Sequence, residues 1–282
     1  MILSTLTEGL ANRFGDEKTI KLIAKAGFDA IDYSMFCLAD KNHKIDNDYL
    51  RRIKSVAEEN GVYFNQAHAP FPSYKFNNIS YNEEMFDILL KSIEYASLLG
   101  VKILVMHPII CPDGVFQKKF NIDFYRKLIP YCEKSNVIIA LENIFVRDAN
   151  RTIYPSVCSF ATQHTDYIDA LDTPWIVACL DIGHCGLVGE DAAKAIKTLG
   201  NKRLNALHVH DNDFEDDLHT MPYLGNTDWD NVLKALAEIN YSGDFTFEAM
   251  NYYNNFSDNN IEKGLKYLHD IGRNMIEKSG KF

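Results

Sequence analysis

Eight short runs of apolar, mostly β-branched residues recur along the chain, and segments with helical periodicity separate them. One such segment places Met85, Leu89 and Ile93 on one helix face and ends at Gly100. Alternating strands and helices predict a parallel sheet covered by helices, because this rhythm does not fit a sandwich. The predicted strands are residues 2–7, 30–35, 63–68, 103–107, 138–143, 177–182, 206–211 and 244–249.

The number of strand–helix units decides which parallel-sheet fold is expected. Eight units in 282 residues match the length and rhythm of a (β/α)8 barrel, so we predict one α/β domain, a TIM barrel, over residues 1–282. The alternative is an open doubly wound sheet, which needs a glycine-rich phosphate loop or another switch-point signal. The segment TEGLANRFG, which follows the first predicted strand, is not such a loop.

Composition narrows the class of protein. Hydrophobic residues make up 46% of the chain, which is enough for a large core, and the net charge of −10 argues against broad electrostatic contact with nucleic acid. A local basic groove stays possible. We find no apolar run of membrane-spanning length and no signal-peptide pattern, so no membrane association is expected. The six cysteines form no CxxC pair, which favours a reducing, cytoplasmic location.

Polar side chains stand at the carboxyl ends of the third to the eighth predicted strands. In a parallel barrel these ends meet at one mouth, where the active site forms. Buried carboxylates are costly unless they are paired or bind a metal, and several in one cavity repel each other. A shared divalent cation would relieve this repulsion. The residues concerned are His68, His107, Glu142, Asp181, His184, His208, His210 and Glu248.

The segment ALHVHDNDFEDDLHTMPYLGNTDW begins with the seventh predicted strand, and the part after that strand adds Asp217 and His219. Away from the barrel mouth, this acidic segment would be read as an ordinary solvated loop. Because it follows the seventh predicted strand, it lies at the predicted mouth. Carboxylates and imidazoles suit Zn²⁺, Mn²⁺, Co²⁺ or Fe²⁺ better than Mg²⁺. His208 and His210 share strand parity, so one is expected to bind metal while the other, with Asp211, supports it or contacts substrate. The remaining histidines, His43, His164 and His269, are predicted to be structural or solvated.

Taken together, the motifs HAP, HP, LEN, LDxGH, LHVHDND, DLHxMPxLGxTDW and FE resemble those of the xylose isomerase-like TIM barrels, in the same order and spacing. That superfamily includes sugar-phosphate isomerases, ketose 3-epimerases and endonuclease IV. The resemblance covers nearly the whole chain. At Leu224-Gly225-Asn226 the sequence departs from the family's usual glycine pattern, which leaves the shape of that loop open.

The resemblance implies a set of metal ligands. The ion common to the superfamily would be held by Glu142, Asp181, His208 and Glu248. Endonuclease IV binds three zinc ions, and its additional ligands match other positions of this chain. The resemblance therefore implies one to three ions, Zn²⁺ or Mn²⁺. The additional positions are His68, His107, His184, Asp217 and His219.

Our first functional hypothesis is a metal-dependent isomerase or epimerase of a small sugar or sugar phosphate. Glu142 and Glu248 would exchange a proton next to the carbonyl through a metal-stabilised enediolate. His184 and His210 would orient hydroxyl groups or move protons. The resemblance also makes a homo-oligomer possible.

Two other functions stay open. The second hypothesis is a zinc phosphodiesterase acting on abasic DNA, which would need a basic, aromatic rim. The third is a sugar- or metal-binding barrel without catalysis, which two potential bases make less favourable. The candidate rim segments are residues 71–76, 111–120 and 145–151, with Lys75, Lys118, Lys119, Arg147 and Arg151.

Overall fold

The computed structural model describes residues 1–40, 45–112, 114–254 and 256–282, and at position 115 it describes the backbone alone. Its centre is a closed barrel of eight parallel strands, which confirms the predicted fold class. A short antiparallel hairpin lies outside the barrel. Strands in the described residues are β1 (Ile2–Leu6), β2 (Ala30–Ser34), β3 (Tyr63–His68), β4 (Ile103–Met106), β5 (Ile138–Glu142), β6 (Phe145–Arg147), β7 (Ile153–Pro155), β8 (Ile176–Asp181), β9 (Leu204–Val209) and β10 (Asp244–Phe247).

The helices surround the barrel. Several of them begin at a capping side chain or end at a glycine. The carboxylate of Asp46 accepts a hydrogen bond from the backbone of Tyr49 and so caps one helix start. Gly27 ends another helix in the left-handed conformation. In the described residues the helices are α1 (Glu8–Phe14), α2 (Asp16–Ala26), α3 (Asn47–Glu59), α4 (Ile79–Leu99), α5 (Gly114–Arg126), α6 (Ile129–Ser135), α7 (Ala161–Leu171), α8 (Ile182–Leu187), α9 (Ala192–Arg203), α10 (Trp229–Glu238), α11 (Met250–Asn254) and α12 (Ile261–Ser279), with a 3₁₀ turn at Phe36–Ala39.

The barrel closes by pairing β1 with β10, in a register that aligns Ile2 with Asp244 and Thr5 with Phe247. The order around the ring is β1-β10-β9-β8-β5-β4-β3-β2, so the hairpin β6–β7 interrupts the sequence of strands without entering the barrel. Barrel closure therefore brings residues from the two ends of the chain side by side.

The apolar core has two parts. A large cluster fills the space between the strands and the helices, and a small one fills part of the barrel interior. The rest of the interior is polar, since Ser4 and Thr246 share a hydrogen bond of 2.9 Å and Gln66 donates to Asp32 at 2.6 Å. The small interior cluster consists of Ile103, Val105, Ala140, Val177, Cys179 and Ala206.

Two sequence predictions need correction. The sequence pattern predicted no hairpin after the fifth strand, yet β6 and β7 occupy part of a segment that we read as a loop. These strands have three residues each, too few for a period-2 pattern to be visible. The strands β9 and β10 also end two residues earlier than predicted, so His210 and Glu248 follow their strands instead of lying within them.

The histidines predicted to be structural or solvated fall into three cases. His164 is buried and donates from Nε2 to the carbonyl of Leu141 at 3.0 Å, so it is structural. His269 packs edge-on against Phe28 with ring centroids 5.5 Å apart. His43 lies outside the described residues. Among the described helices, none has both the length and the apolar run needed to cross a bilayer.

Asp244, the first residue of β10, should make the free energy of unfolding depend on pH. Burial raises the pKa of this carboxyl group to about 6, an effect that the Asn65 amide opposes and the Asp32 carboxylate reinforces. A raised carboxyl pKa means that the folded state holds a proton between about pH 4 and 6 that the unfolded chain releases. Its contribution to the free energy of unfolding therefore decreases by about 2–3 kcal/mol as the pH rises through this window.

We expect Asp244→Asn to be more stable than the wild type at pH 7.5 and about equally stable at pH 4. Urea unfolding of both proteins across this range measures the difference, which cancels the contributions of all other groups. A stability difference that stays constant with pH would show that Asp244 is not the group responsible.

Candidate active site

The described structure brings all nine predicted metal-ligand positions to the same mouth of the barrel. The strands β3, β5 and β8 end at His68, Glu142 and Asp181, and β9 carries His208 next to its end. The backbone of Glu248 extends the β10 ladder by donating to the carbonyl of Val209 at 3.1 Å. The other positions, in loops or a helix just beyond the strands, are His107, His184, Asp217 and His219.

The first cluster consists of Glu142, Asp181, His208 and Glu248, whose potential ligand atoms all lie within 4.8 Å of one another. His208 Nδ1 is 3.0 Å from Glu142 Oε1 and 3.2 Å from Glu248 Oε2. All four residues are buried. Three carboxylates and one imidazole at this spacing match the predicted common metal site in donor type and number.

The second cluster consists of His68, His107 and Glu142. Glu142 Oε2 is 3.2 Å from His68 Nε2 and 3.1 Å from His107 Nε2, while Oε1 of the same carboxylate faces His208. Glu142 therefore belongs to the first and second clusters, with one oxygen directed to each.

The third cluster consists of His184, His210, Asp217 and His219. Asp217 Oδ2 lies 2.9 Å from His219 Nε2 and 3.6 Å from His184 Nε2. His210 stacks on His219 with ring centroids 4.1 Å apart, and its Nε2 is 3.0 Å from Asp181. The side chain of His210 is fully buried and is not among the described residues that line the cavity.

Backbone carbonyls fix the tautomers of three histidines. Nδ1 of His68, His184 and His219 lies 2.8–3.0 Å from the carbonyls of Ala69, Asn143 and Glu248, respectively. A carbonyl only accepts hydrogen bonds, so Nδ1 carries the proton in each ring. In a neutral imidazole the Nε2 lone pair then faces a carboxylate oxygen, which is repulsive. Either a proton or a cation must lie between them.

The pKa shifts of these groups reflect the same close contact between imidazoles and carboxylates. Burial alone would raise the pKa of Glu142, but the charge of His208 and the charge and hydrogen bond of His107 hold it well below its usual range. Burial alone would lower the pKa of His219, yet the hydrogen bond to Asp217 and the charge of Glu248 raise it to about 9. Without a cation, protonated imidazoles such as His219 balance part of the carboxylate charge, whereas burial lowers the pKa of His107. A divalent ion would replace those protons.

Two buried carboxylate oxygens retain free ligand capacity. Glu248 Oε2 and Asp217 Oδ1 accept no hydrogen bond from any described residue. Buried acceptors without a donor are uncommon, because each forfeits the hydration it had in water. The donor set, its spacing and these oxygens therefore fit one or more divalent cations.

Asp211 anchors the loop that carries the third cluster. Its buried carboxylate accepts hydrogen bonds from the backbones of Tyr223 and Thr227 and from Trp229 Nε1, at 2.9–3.1 Å. A Cβ atom at Gly225 would lie 2.2 Å from the carbonyl oxygen of Asn212, so this close approach needs glycine. The glycine that the sequence keeps here thus sets the loop shape, and Asp211 holds the loop in place.

A cavity of about 500 Å³ opens above the clusters. Imidazoles and carboxylates form one side, and apolar side chains form much of the rest. Among these, Phe71 and Phe145 lie in the candidate rim segments, and the others were not predicted. Glu8, in the first turn of α1, also lines it and was likewise not predicted. No motif marks Glu8, Phe36 or Met250, and only the fold brings them to the mouth. The main apolar lining residues are Phe36, Phe71, Ile109, Ile144, Phe145 and Met250.

The candidate basic rim is largely neutralised by neighbouring groups. Arg147 and Arg151 both pair with Asp216, at 3.2 and 3.0 Å, and the two rim lysines of α5 pair with acidic residues. Lys75 lies over the ring of Tyr81 at 4.1 Å. Each of these cations therefore has a neighbour that competes with a phosphate for it, although exposed ion pairs of this kind are weak.

The fold and the site define a (β/α)8 barrel with a histidine- and carboxylate-rich candidate active site at the carboxyl ends of its strands. The chain belongs to the family described as Xylose isomerase-like TIM barrel, whose model matches residues 20–271.

Three relatives illustrate the range of this family. The uncharacterized protein y4fM of Sinorhizobium fredii (strain NBRC 101917 / NGR234) is 27% identical over 267 residues, which cover 83% of this chain and 81% of that protein. D-psicose 3-epimerase of Enterocloster bolteae is 20% identical over 281 residues, covering 94% and 87%. Probable endonuclease 4 of Mesomycoplasma hyopneumoniae (strain J) is 27% identical over 166 residues, covering 56% and 53%.

Solved structures share the fold over the full chain. A D-tagatose 3-epimerase-like protein has a TM-score of 0.79 at 20% identity, covering 100% of this chain and 99% of the other. IOLI protein with a bound zinc atom has a TM-score of 0.79 at 19% identity, covering 99% of each chain.

Proposed function

We propose that the protein is a divalent-cation-dependent isomerase or epimerase of a small sugar. One observation carries this proposal. Nδ1 of His68, His184 and His219 donates its proton to a backbone carbonyl, so the Nε2 lone pair of each neutral ring faces a carboxylate oxygen. Glu142, Asp181, His208 and Glu248 would hold the ion that is central to the chemistry. When bound, such an ion supplies Lewis-acid polarisation of a carbonyl oxygen.

The two glutamates are the proposed acid–base pair. Glu142 and Glu248 both line the cavity, and each has a carboxylate oxygen close to His208 Nδ1. One would remove the proton next to the substrate carbonyl and the other would return a proton to the same carbon or its neighbour. Since each carboxylate contacts the cavity from a different strand end, the pair reaches a bound sugar from two directions.

The two candidate catalytic histidines have different proposed roles. His184 lines the cavity and faces Asp217 through Nε2, so it is placed to contact substrate or a cation. His210 is buried behind Asp181 and would act as a positioning residue for that carboxylate. From the sequence, both were predicted to orient hydroxyl groups or move protons.

The relatives support this proposal. D-psicose 3-epimerase of Enterocloster bolteae aligns with nearly the whole chain, whereas probable endonuclease 4 aligns with about half of it. The zinc atom of the IOLI structure supports a divalent ion in a barrel of this shape. The cytoplasmic location and an oligomeric state stay predictions from the sequence.

A phosphodiesterase acting on abasic DNA is the second candidate. The observation that favours it is the presence of ligand clusters beyond the first, around His107 and around His219, since the proposed isomerase chemistry uses only the first. The pairing of Arg147 and Arg151 with Asp216 weighs against it, because DNA affinity depends on cations free to contact phosphates.

Deuterium exchange and strand nicking distinguish the two functions. We expect the protein loaded with Mn²⁺, Co²⁺ or Zn²⁺ to incorporate deuterium from D₂O next to the carbonyl of at least one ketose, followed by NMR. It should leave a duplex with one abasic site intact. Nicking of that duplex without exchange into any sugar would instead establish the phosphodiesterase.

A further inference from the structure

Glu8 is an acidic side chain on the wall of the candidate active site, opposite the hairpin β6–β7 in the order of the barrel. It follows β1 directly and lines the cavity together with Glu248 and Met250. Its side chain is half-buried, and it makes no hydrogen bond or ion pair with any described residue. A carboxylate in this position has its full hydrogen-bonding capacity available to a ligand.

The position of Glu8 is fixed by packing. The helix α1 packs against α11, and a Cβ atom at the neighbouring Gly9 would lie 3.5 Å from Met250 and Tyr253. Tyr253 is itself fully buried. These contacts hold the backbone of α1 against α11 and so place Glu8 on the cavity wall.

The charges around the cavity indicate which ligands it accepts. Glu142, Asp217 and Glu248 line it as members of the ligand clusters, together with histidines that balance their charge. Glu8 belongs to none of these clusters, so its carboxylate would face an anionic ligand directly. Arg147 is not among the described residues that line the cavity, and its Nη2 lies 3.2 Å from Asp216 Oδ1. Hydroxyl groups, by contrast, donate hydrogen bonds to carboxylates, and the apolar faces of sugar rings pack on aromatic side chains.

We propose that Glu8 accepts hydrogen bonds from hydroxyl groups of an uncharged, polyhydroxylated substrate and determines specificity against phosphorylated sugars. This inference rests on the proposed function and narrows its substrate class. The aromatic side chains of Phe36, Phe71 and Phe145 would cover the apolar face of the same substrate. In this assignment Glu8 sets which sugar binds, while the proton transfer stays with the two glutamates of the strand ends.

The test compares matched pairs of sugars: D-fructose with D-fructose 6-phosphate, and D-psicose with D-psicose 6-phosphate. For the metal-loaded protein we measure deuterium exchange and, independently, binding by saturation-transfer NMR. The wild type should act on and bind the free ketose better than its phosphate ester. Glu8→Gln should raise KM for the free ketose by about 10- to 100-fold, with a smaller effect on kcat, since it weakens hydrogen bonds to a charged group.

The outcomes separate this inference from the proposed function. Exchange into no ketose and no ester would overturn both. Exchange by the wild type with a preference for the phosphate ester, or a Glu8→Gln variant with unchanged KM and binding, would overturn the role of Glu8 alone. Glu59→Gln, an exposed change at the end of α3, is the matched control and should leave all values unchanged. Glu8→Asp, checked by thermal melting, replaces Glu8→Gln if that variant misfolds.

Discussion

Glu248→Gln is expected to slow deuterium exchange at the carbon next to a ketose carbonyl by about 10²- to 10⁴-fold, the usual contribution of a positioned acid or base. The amide keeps the shape of the side chain and removes the proton-accepting charge. Glu248 is buried, lines the cavity and lies 3.2 Å from His208 Nδ1. The exchange rate is followed by NMR in D₂O at saturating sugar.

Because Glu248 is also a proposed metal ligand, the metal content of the variant is measured in parallel. Loss of exchange with the metal retained would identify the proton-transfer role, and loss of both would identify the ligand role. Glu59→Gln serves again as the control. A Glu248→Gln protein that exchanges deuterium at the wild-type rate would remove Glu248 from the mechanism.

Removal of divalent ions is expected to lower the melting temperature substantially. The ligand clusters combine carboxylates and imidazoles from β3, β5, β8 and β9 and from the residues after β10, so an ion would tie these strands together. An ion at about 1,000 times its Kd stabilises the folded state by about 4 kcal/mol, which corresponds to roughly 10 °C for a domain of this size. Calorimetry before and after chelation, and after adding Mn²⁺, Co²⁺ or Zn²⁺ back, measures the shift.

The metal-dependent shift in melting temperature should also depend on pH and on His208. Since the ion replaces protons on the imidazoles, its stabilising effect should shrink as the pH falls towards 5. His208→Ala should lose most of the metal-dependent shift, whereas Glu59→Gln should keep it. Equal melting temperatures with and without metal at neutral pH, at every concentration tested, would contradict a structural role for the ion.

Much of the fold was predictable because its signals are local. Each barrel strand is a short apolar run, and helical periodicity fills the gaps, so the barrel follows from counting the units. The ends of β9 and β10 were misplaced by two residues, since the residues after the last ladder pair, His210-Asp211 and Glu248-Ala249, are buried like the strand residues and only the backbone hydrogen bonds mark the strand ends. The hairpin β6–β7 was missed because three-residue strands carry no pattern.

The candidate site was only partly predictable. Imidazoles and carboxylates at strand ends can be recognised in the sequence as candidate ligands, because a buried charge is costly unless it is paired or binds a metal. Glu8 follows β1 in an ordinary polar stretch, and its meeting with Glu248 depends on barrel closure. The buried position of His210 and the role of Asp211 as a loop anchor depend on three-dimensional packing.

The seam between β1 and β10 has a consequence for biosynthesis. Glu8 emerges from the ribosome more than 200 residues before Glu248, yet the two line one cavity only after the last strand has docked beside the first. A nascent chain could gather ligands from its middle strands earlier, but it would lack one wall of the pocket. The complete cavity, and with it the proposed activity, thus depends on the last strand of the barrel.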